Sequence, residues 1–170
     1  MITPMGSGID IFVHPGEWFF GEGETRIRTT LGSCVSVTLW HPGLQLGGLC
    51  HYMLPGQAYS NEPPDARYGP DAVQLLLAEV HRHGTRVADY HAKLFGGASM
   101  FDLGPGGSSV AIRNVQVAEQ LVLEHGLHVV ARSLGGTHYR QLVFSLASGD
   151  VWVRQGGAEQ QFGYAVGGVA

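Results

Sequence analysis

Charge is scarce in this chain: 14% of its 170 residues are Asp, Glu, Lys or Arg. The ten basic residues are scattered singly within a net charge of −4, which leaves no electrostatic footprint for nucleic acid or another polyanion. Cysteine is rarer still. Cys34 and Cys50 are too few for a disulfide framework and suit a reducing compartment. No run approaches the ~20 apolar residues of a membrane span. The start, MITPMGSGIDIF, lacks the basic segment and long apolar stretch of a secretion signal, so a cytoplasmic location is expected. The glycine-rich stretches contain neither GxGxxG nor GxxxxGK(S/T), which argues against a nucleotide site. His81 and His83 stand two apart in a helix, where side chains do not face each other, so no metal site is expected there. No cofactor is called for.

What the chain does have is apolar content, 44%, enough at this length for one domain with a real core. A single domain over 1–170 is expected, with 1–10 and about 156–170 loosely ordered. Pro70-Asp71 opens a helix with an apolar stripe of Val73, Leu76, Leu77 and Val80. A second helix is expected at about Asn114–Glu124, with Val115, Ala118, Leu121 and Val122 on its apolar face. Each stops at His-Gly and feeds a strand, Thr85–Leu94 and Val129–Ser133, that ends in Gly-Gly. Short strands around the Pro15-Gly16 turn, at Thr25–Thr29, and in a closing hairpin of Arg140–Leu146 and Val151–Arg154 complete the set. The reading is an α+β fold: layered, sandwich-like mixed or antiparallel sheets covered by two main helices.

The stretch that concentrates chemistry is Thr29–Pro55. Val35, Val37 and Leu39 alternate with Ser36, Thr38 and Trp40, the period of a half-buried strand, and His41-Pro42-Gly43-Leu44 breaks it. Leu46–Met53 then returns. With a two- or four-residue loop, one register places Cys34 opposite His51, Val35 opposite Cys50 and Leu39 opposite Leu46. That arrangement sends Cys50 to the apolar face and brings a thiol to an imidazole, a nucleophile beside its base. A three-residue loop would slip the register by one and undo it. Gly32 and Ser33, just before Cys34, allow a tight bend whose N–H groups can face an oxyanion.

LGSCVSVTLW followed by GGLCHYMLP, preceded by VHPGEW at 13–18 and followed by GGASMF at 96–101 and IRN at 112–114, resembles the chemoreceptor glutamine deamidase (CheD) family. The likeness runs from about Val13 to Arg154. It implies a hydrolase that converts glutamine side chains to glutamate on the cytoplasmic parts of methyl-accepting chemotaxis receptors. It implies Cys34 as nucleophile, His51 as base and a threonine, Thr29 or Thr30, as the third member, with Thr29 favoured. It also places loops carrying Gly97, Ser99, Phe101, Arg113 and Asn114 near the active cleft, read here as supporting the loop structure first and as substrate contacts second, and it implies a CheC-type phosphatase as a further partner where one exists. The alternatives are a docking module without activity and a cysteine hydrolase acting on another amide. Ser99 in GGASM does not fit the GxSxG nucleophile elbow.

Overall fold

Strand β4, Val35–His41, shows how the chain is layered, because all but its last residue are buried. Val35, Val37 and Leu39 pack with Cys50, Tyr52, Val73, Leu76, Val80 and Leu121. Trp40 points the other way, into a second cluster with Leu49, Phe95, Ile27, Phe144 and Val153. The alternation therefore does not mark a half-buried strand, as its polar members suggest. Ser36 and Thr38 are covered too, because a second sheet lies over them.

The computed structural model describes residues 8–56, 61–100 and 109–163. Among them, one sheet contains β1 (Ile9–Phe12), β3 (Thr25–Leu31), β8 (Arg140–Ser145), β9 (Val151–Gln155) and β10 (Ala158–Phe162), in that spatial order. The other runs β2 (Trp18–Glu22), β5 (Leu46–Cys50), β4, β6 (His91–Gly96) and β7 (His128–Leu134). Both are mixed: β1 lies parallel to β3, and β6 parallel to β7 across the helix that joins them. Helices α1 (Gly69–Arg82) and α2 (Val110–His125) bury their apolar faces against the second sheet. The α+β reading, with layered mixed sheets and two covering helices, describes this arrangement. No helix among the described residues is long and apolar enough to cross a membrane.

Several boundaries differ from expectation for local reasons. Helix α2 starts four residues before Asn114 because the Ser109 hydroxyl caps it, accepting from the Ile112 N–H at 3.1 Å. The stretch from Thr85 forms a short 3₁₀ turn, Val87–Asp89, before β6 begins. The segment after Gln155 is not loose throughout: β10 pairs along β9 and inserts Phe162 beneath Phe95. Lys93 ties this edge down, its buried ammonium donating to the carbonyls of Gly149 and Phe162, both at 2.7 Å. Residues 1–7 and 164–170 lie outside the described residues.

The β4–β5 hairpin closes at His41↔Leu46, leaving a four-residue loop in which Gln45 takes a left-handed φ of 53°. Leu39 then faces Gly48 rather than Leu46, and Val35 exchanges two backbone hydrogen bonds with Tyr52, at 3.1 and 3.0 Å. The register is thus offset by two residues from the expected one. An even offset keeps every side chain on its face. On the far edge of β4, Gly96 has φ 113°, and a Cβ there would stand 2.2 Å from the Cys34 carbonyl oxygen. Replacing Gly96 by Ala should therefore cost more than about 2 kcal/mol in urea unfolding, since backbone and not a side chain must yield.

Candidate active site

Alternation along β3 turns Thr25, Ile27, Thr29 and Leu31 inward, which leaves Thr30 exposed. The Thr29 hydroxyl oxygen lies 2.7 Å from the Val13 carbonyl oxygen and 2.7 Å from Nδ1 of His51. A hydroxyl has one proton, and a carbonyl can only accept. The proton must therefore go to Val13, since two acceptors at that distance without one would repel. Thr29 then accepts from His51, which places the ring proton on Nδ1 and leaves Nε2 with a free lone pair. The backbone of His51 is anchored as well, accepting from Gly16 at 2.8 Å and donating to Glu17 at 3.0 Å.

Cys34 sits between the Gly32-Ser33 bend and the first residue of β4, half-buried and free, while Cys50 is free and fully buried. The two cysteines face opposite clusters, Cys34 toward the space between the sheets and Cys50 toward the helices. Cys34 is not directly opposite His51, because the two-residue offset places Met53 across from it and Ser36 across from His51. Thiol and imidazole nevertheless share one face as diagonal neighbours, a separation of about 7–8 Å between backbone sites that an imidazole can span. No hydrogen bond joins them among the described residues, and Nε2 of His51 is buried without a partner.

Loops hold the nucleophile segment by its carbonyls. Cys34 accepts from Gly97 at 2.8 Å, Gly32 accepts from Ala98 at 2.9 Å, and Ser33 accepts from the Asn114 side chain at 3.0 Å. Among the described residues the N–H groups of Gly32, Ser33 and Cys34 donate to no backbone carbonyl. Ser99 binds back to Gly136 through its N–H at 2.9 Å, Arg113 is exposed on α2, and Asn114 is buried. Phe101 lies outside the described residues. Three residues escaped the sequence reading. Val13 acts through its carbonyl, which leaves no trace in a sequence. Ser36 is buried opposite His51, and Tyr52 donates its hydroxyl to the Asn114 carbonyl at 2.5 Å. Their adjacency to Cys34 and His51 was the only available signal.

Three buried side-chain polar atoms among the described residues have no partner: Nε2 of His51, the Ser36 hydroxyl and Oδ1 of Asn114. All three belong to residues around Cys34. Folded proteins satisfy nearly all such groups, so exceptions gathered around one thiol make this stretch the candidate site. Burial also disfavours the charged form of both Cys34 and His51. It pulls His51 down to about 4 against the opposing hydrogen bond with Val13, with the charge of His14 acting in the same direction as burial. It raises the Cys34 thiol, a hydrogen bond from the Ser33 side chain acting the other way, and pushes Cys50 up to about 12. Burial thus works against charge on either group.

The family model described as CheD chemotactic sensory transduction matches residues 53–155. A protein of Chromobacterium violaceum named "Probable chemoreceptor glutamine deamidase CheD 1" is 45% identical over 152 residues, covering 88% of this chain and 79% of its own length. A Pseudomonas savastanoi pv. phaseolicola protein named "Probable chemoreceptor glutamine deamidase CheD" is 43% identical over 157 residues, covering 91% and 88%. A Leptospira interrogans protein named "Probable chemoreceptor glutamine deamidase CheD 1" is 34% identical over 165 residues, covering 91% and 98%.

Two measurements probe the electrostatics directly. His51 takes up a proton near pH 6.5 when unfolded and only near about 4 when folded. The unfolded chain therefore binds more protons between these values. Stability present above pH 6.5 should fall as pH drops toward 4, by up to about 3 kcal/mol at this one site. Urea unfolding across that range should show the loss, and His51→Gln should remove this contribution. In the folded protein at neutral pH, iodoacetamide should modify Cys34 slowly and Cys50 not at all, with the Cys34 rate still climbing above the ordinary thiol range.

Proposed function

The chain belongs to the CheD family, and from that premise we propose that it deamidates glutamine side chains of chemoreceptors to glutamate by cysteine catalysis. The observation that carries the mechanism is the free Nε2 lone pair, oriented by Thr29 and Val13 on the face that Cys34 shares. Because burial works against charge on either group, Nε2 takes the thiol proton as sulfur attacks the glutamine carbonyl carbon. A carbon–sulfur bond forms, and the negative charge moves to the amide oxygen. The free N–H groups of the Gly32-Ser33-Cys34 bend receive it.

Collapse of this intermediate breaks the carbon–nitrogen bond. The imidazolium passes its proton to the leaving nitrogen, which departs as ammonia. Water then attacks the thioester, giving its proton to Nε2, and the proton returns to sulfur as the carbon–sulfur bond breaks. The products are glutamate and the resting thiol. Throughout, Thr29 holds the ring by accepting from Nδ1–H, so the nitrogen that cycles is always Nε2.

The substrates are proposed to be cytoplasmic helical regions of methyl-accepting receptors, which places this protein in the same compartment. A CheC-type phosphatase is a proposed further partner, which co-purification would test. Gly97, which donates to the Cys34 carbonyl, holds the nucleophile loop. Ser99 and exposed Arg113 are proposed to lie on the substrate side.

Incubation with a receptor cytoplasmic fragment should add about one dalton to particular glutamines by mass spectrometry, leaving the backbone intact. Cys34→Ala and His51→Ala should abolish the gain, and Cys50→Ala should retain it. Thr29→Val should lower the rate about tenfold or more, because the ring then loses its orienting acceptor. A folded protein that binds the fragment without any mass gain would be a docking module instead.

A further inference from the structure

Cys34 and His51 lie on segments that are only loosely laced to each other. The β4–β5 ladder runs from His41↔Leu46 to Thr38↔Leu49, and beyond it a single bridge, Val35↔Tyr52, joins the two segments. One side chain spans the gap. The Asn114 side-chain nitrogen donates to the Ser33 carbonyl at 3.0 Å and to the Met53 carbonyl at 3.0 Å. Ser33 precedes the nucleophile, and Met53 follows the base by two residues. Both partners are carbonyls, which can only accept, so the amide orientation is forced: the NH₂ must face them. Asn114 is itself fixed in place. It is fully buried in the first turns of α2, and its carbonyl accepts from the Tyr52 hydroxyl at 2.5 Å.

We propose that Asn114 is a positioning residue that sets the separation of thiol and imidazole by clamping the Ser33 and Met53 carbonyls together. It acts through the backbone on either side of the reacting pair, by its amide nitrogen alone, and its unpaired Oδ1 plays no part in the clamp. The amide spends both protons on the clamp, and no other side chain among the described residues bonds to both segments. Its catalytic consequence rests on the deamidase reading above, while its effect on the thiol does not.

The test compares Asn114→Ala and Asn114→Asp with Gln116→Ala, an exposed change on the same helix. Asp keeps the shape and replaces the donors with acceptors. Both Asn114 variants should lower kcat about tenfold to a hundredfold while KM moves less than about threefold, because geometry and not binding is lost. Iodoacetamide should modify Cys34 several times faster and at lower pH than in the parent, while Cys50 stays protected. Faster labelling of Cys34 with Cys50 still protected separates a local release of the nucleophile segment from a general loss of stability, which would expose both thiols. Should the Asn114 variants not fold, Tyr52→Phe removes only the hydroxyl that seats Asn114 and should shift both readouts the same way, by less.

Unchanged kcat and Cys34 labelling would overturn the clamp. So would a rise in KM alone, which would make Asn114 a substrate contact, or simultaneous labelling of Cys34 and Cys50, which would make it a general core residue. If the parent protein shows no deamidation, the functional proposal fails on its own. The alkylation measurements still decide the clamp.

Discussion

A single hydroxyl proton fixes the histidine of the proposed site. Thr29 has one proton to give and two acceptors within reach, and only one of them, the Val13 carbonyl, cannot accommodate any other arrangement. That constraint propagates to the imidazole, fixing its tautomer and leaving Nε2 as the nitrogen with the lone pair. The chain stations around this contact come from three separate places: the segment after β1, the end of β3 and the residue just past β5. The first sheet exists, in functional terms, to deliver Val13 and Thr29 to a histidine that belongs to the second.

The layering explains the electrostatics. Because β4 and β5 are covered on one side by helices and on the other by a sheet, any ionisable group at their ends is desolvated on arrival. Desolvation favours the neutral form of both an acid and a base, so it raises the Cys34 thiol and lowers His51 together. The unpaired atoms of Ser36, His51 and Asn114 belong to the same economy of space. Hydrogen-bonding capacity left open in a packed interior costs stability, which the surrounding packing offsets. Gly96 and Gly97 show how tight that packing is: a side chain at either would collide with the Cys34 carbonyl or with Val115.

Much of the architecture was legible because its signals are local. The apolar stripe of α1, Pro70 in its first turn and the His-Gly stop of α2 each follow from backbone and solvent physics within a few residues. The Cys34/Cys50 sorting was legible for a similar reason: side chains alternate with a period of two, so any even error in register leaves faces unchanged. The register itself was not legible. It depended on which residues close the hairpin, and Gln45 accepts a left-handed conformation that no composition rule anticipates. Strand β10 was missed because AEQQF carries little apolar signal, and only Phe162, seated against Phe95, gives it a reason to stay.

The sequence by itself determined the helices, the α+β class, the family likeness and the pair of residues, one thiol and one imidazole, on which a cysteine mechanism can rest. Those follow from residue identity, short-range periodicity and motif order. Only the tertiary structure decided between Thr29 and Thr30 as the neighbour of His51, brought in the Val13 carbonyl, turned Asn114 inward and made β4 a buried strand. Each of these depends on contacts between segments far apart in the chain. Backbone carbonyls and burial are properties of a packed molecule, and no single residue type encodes them.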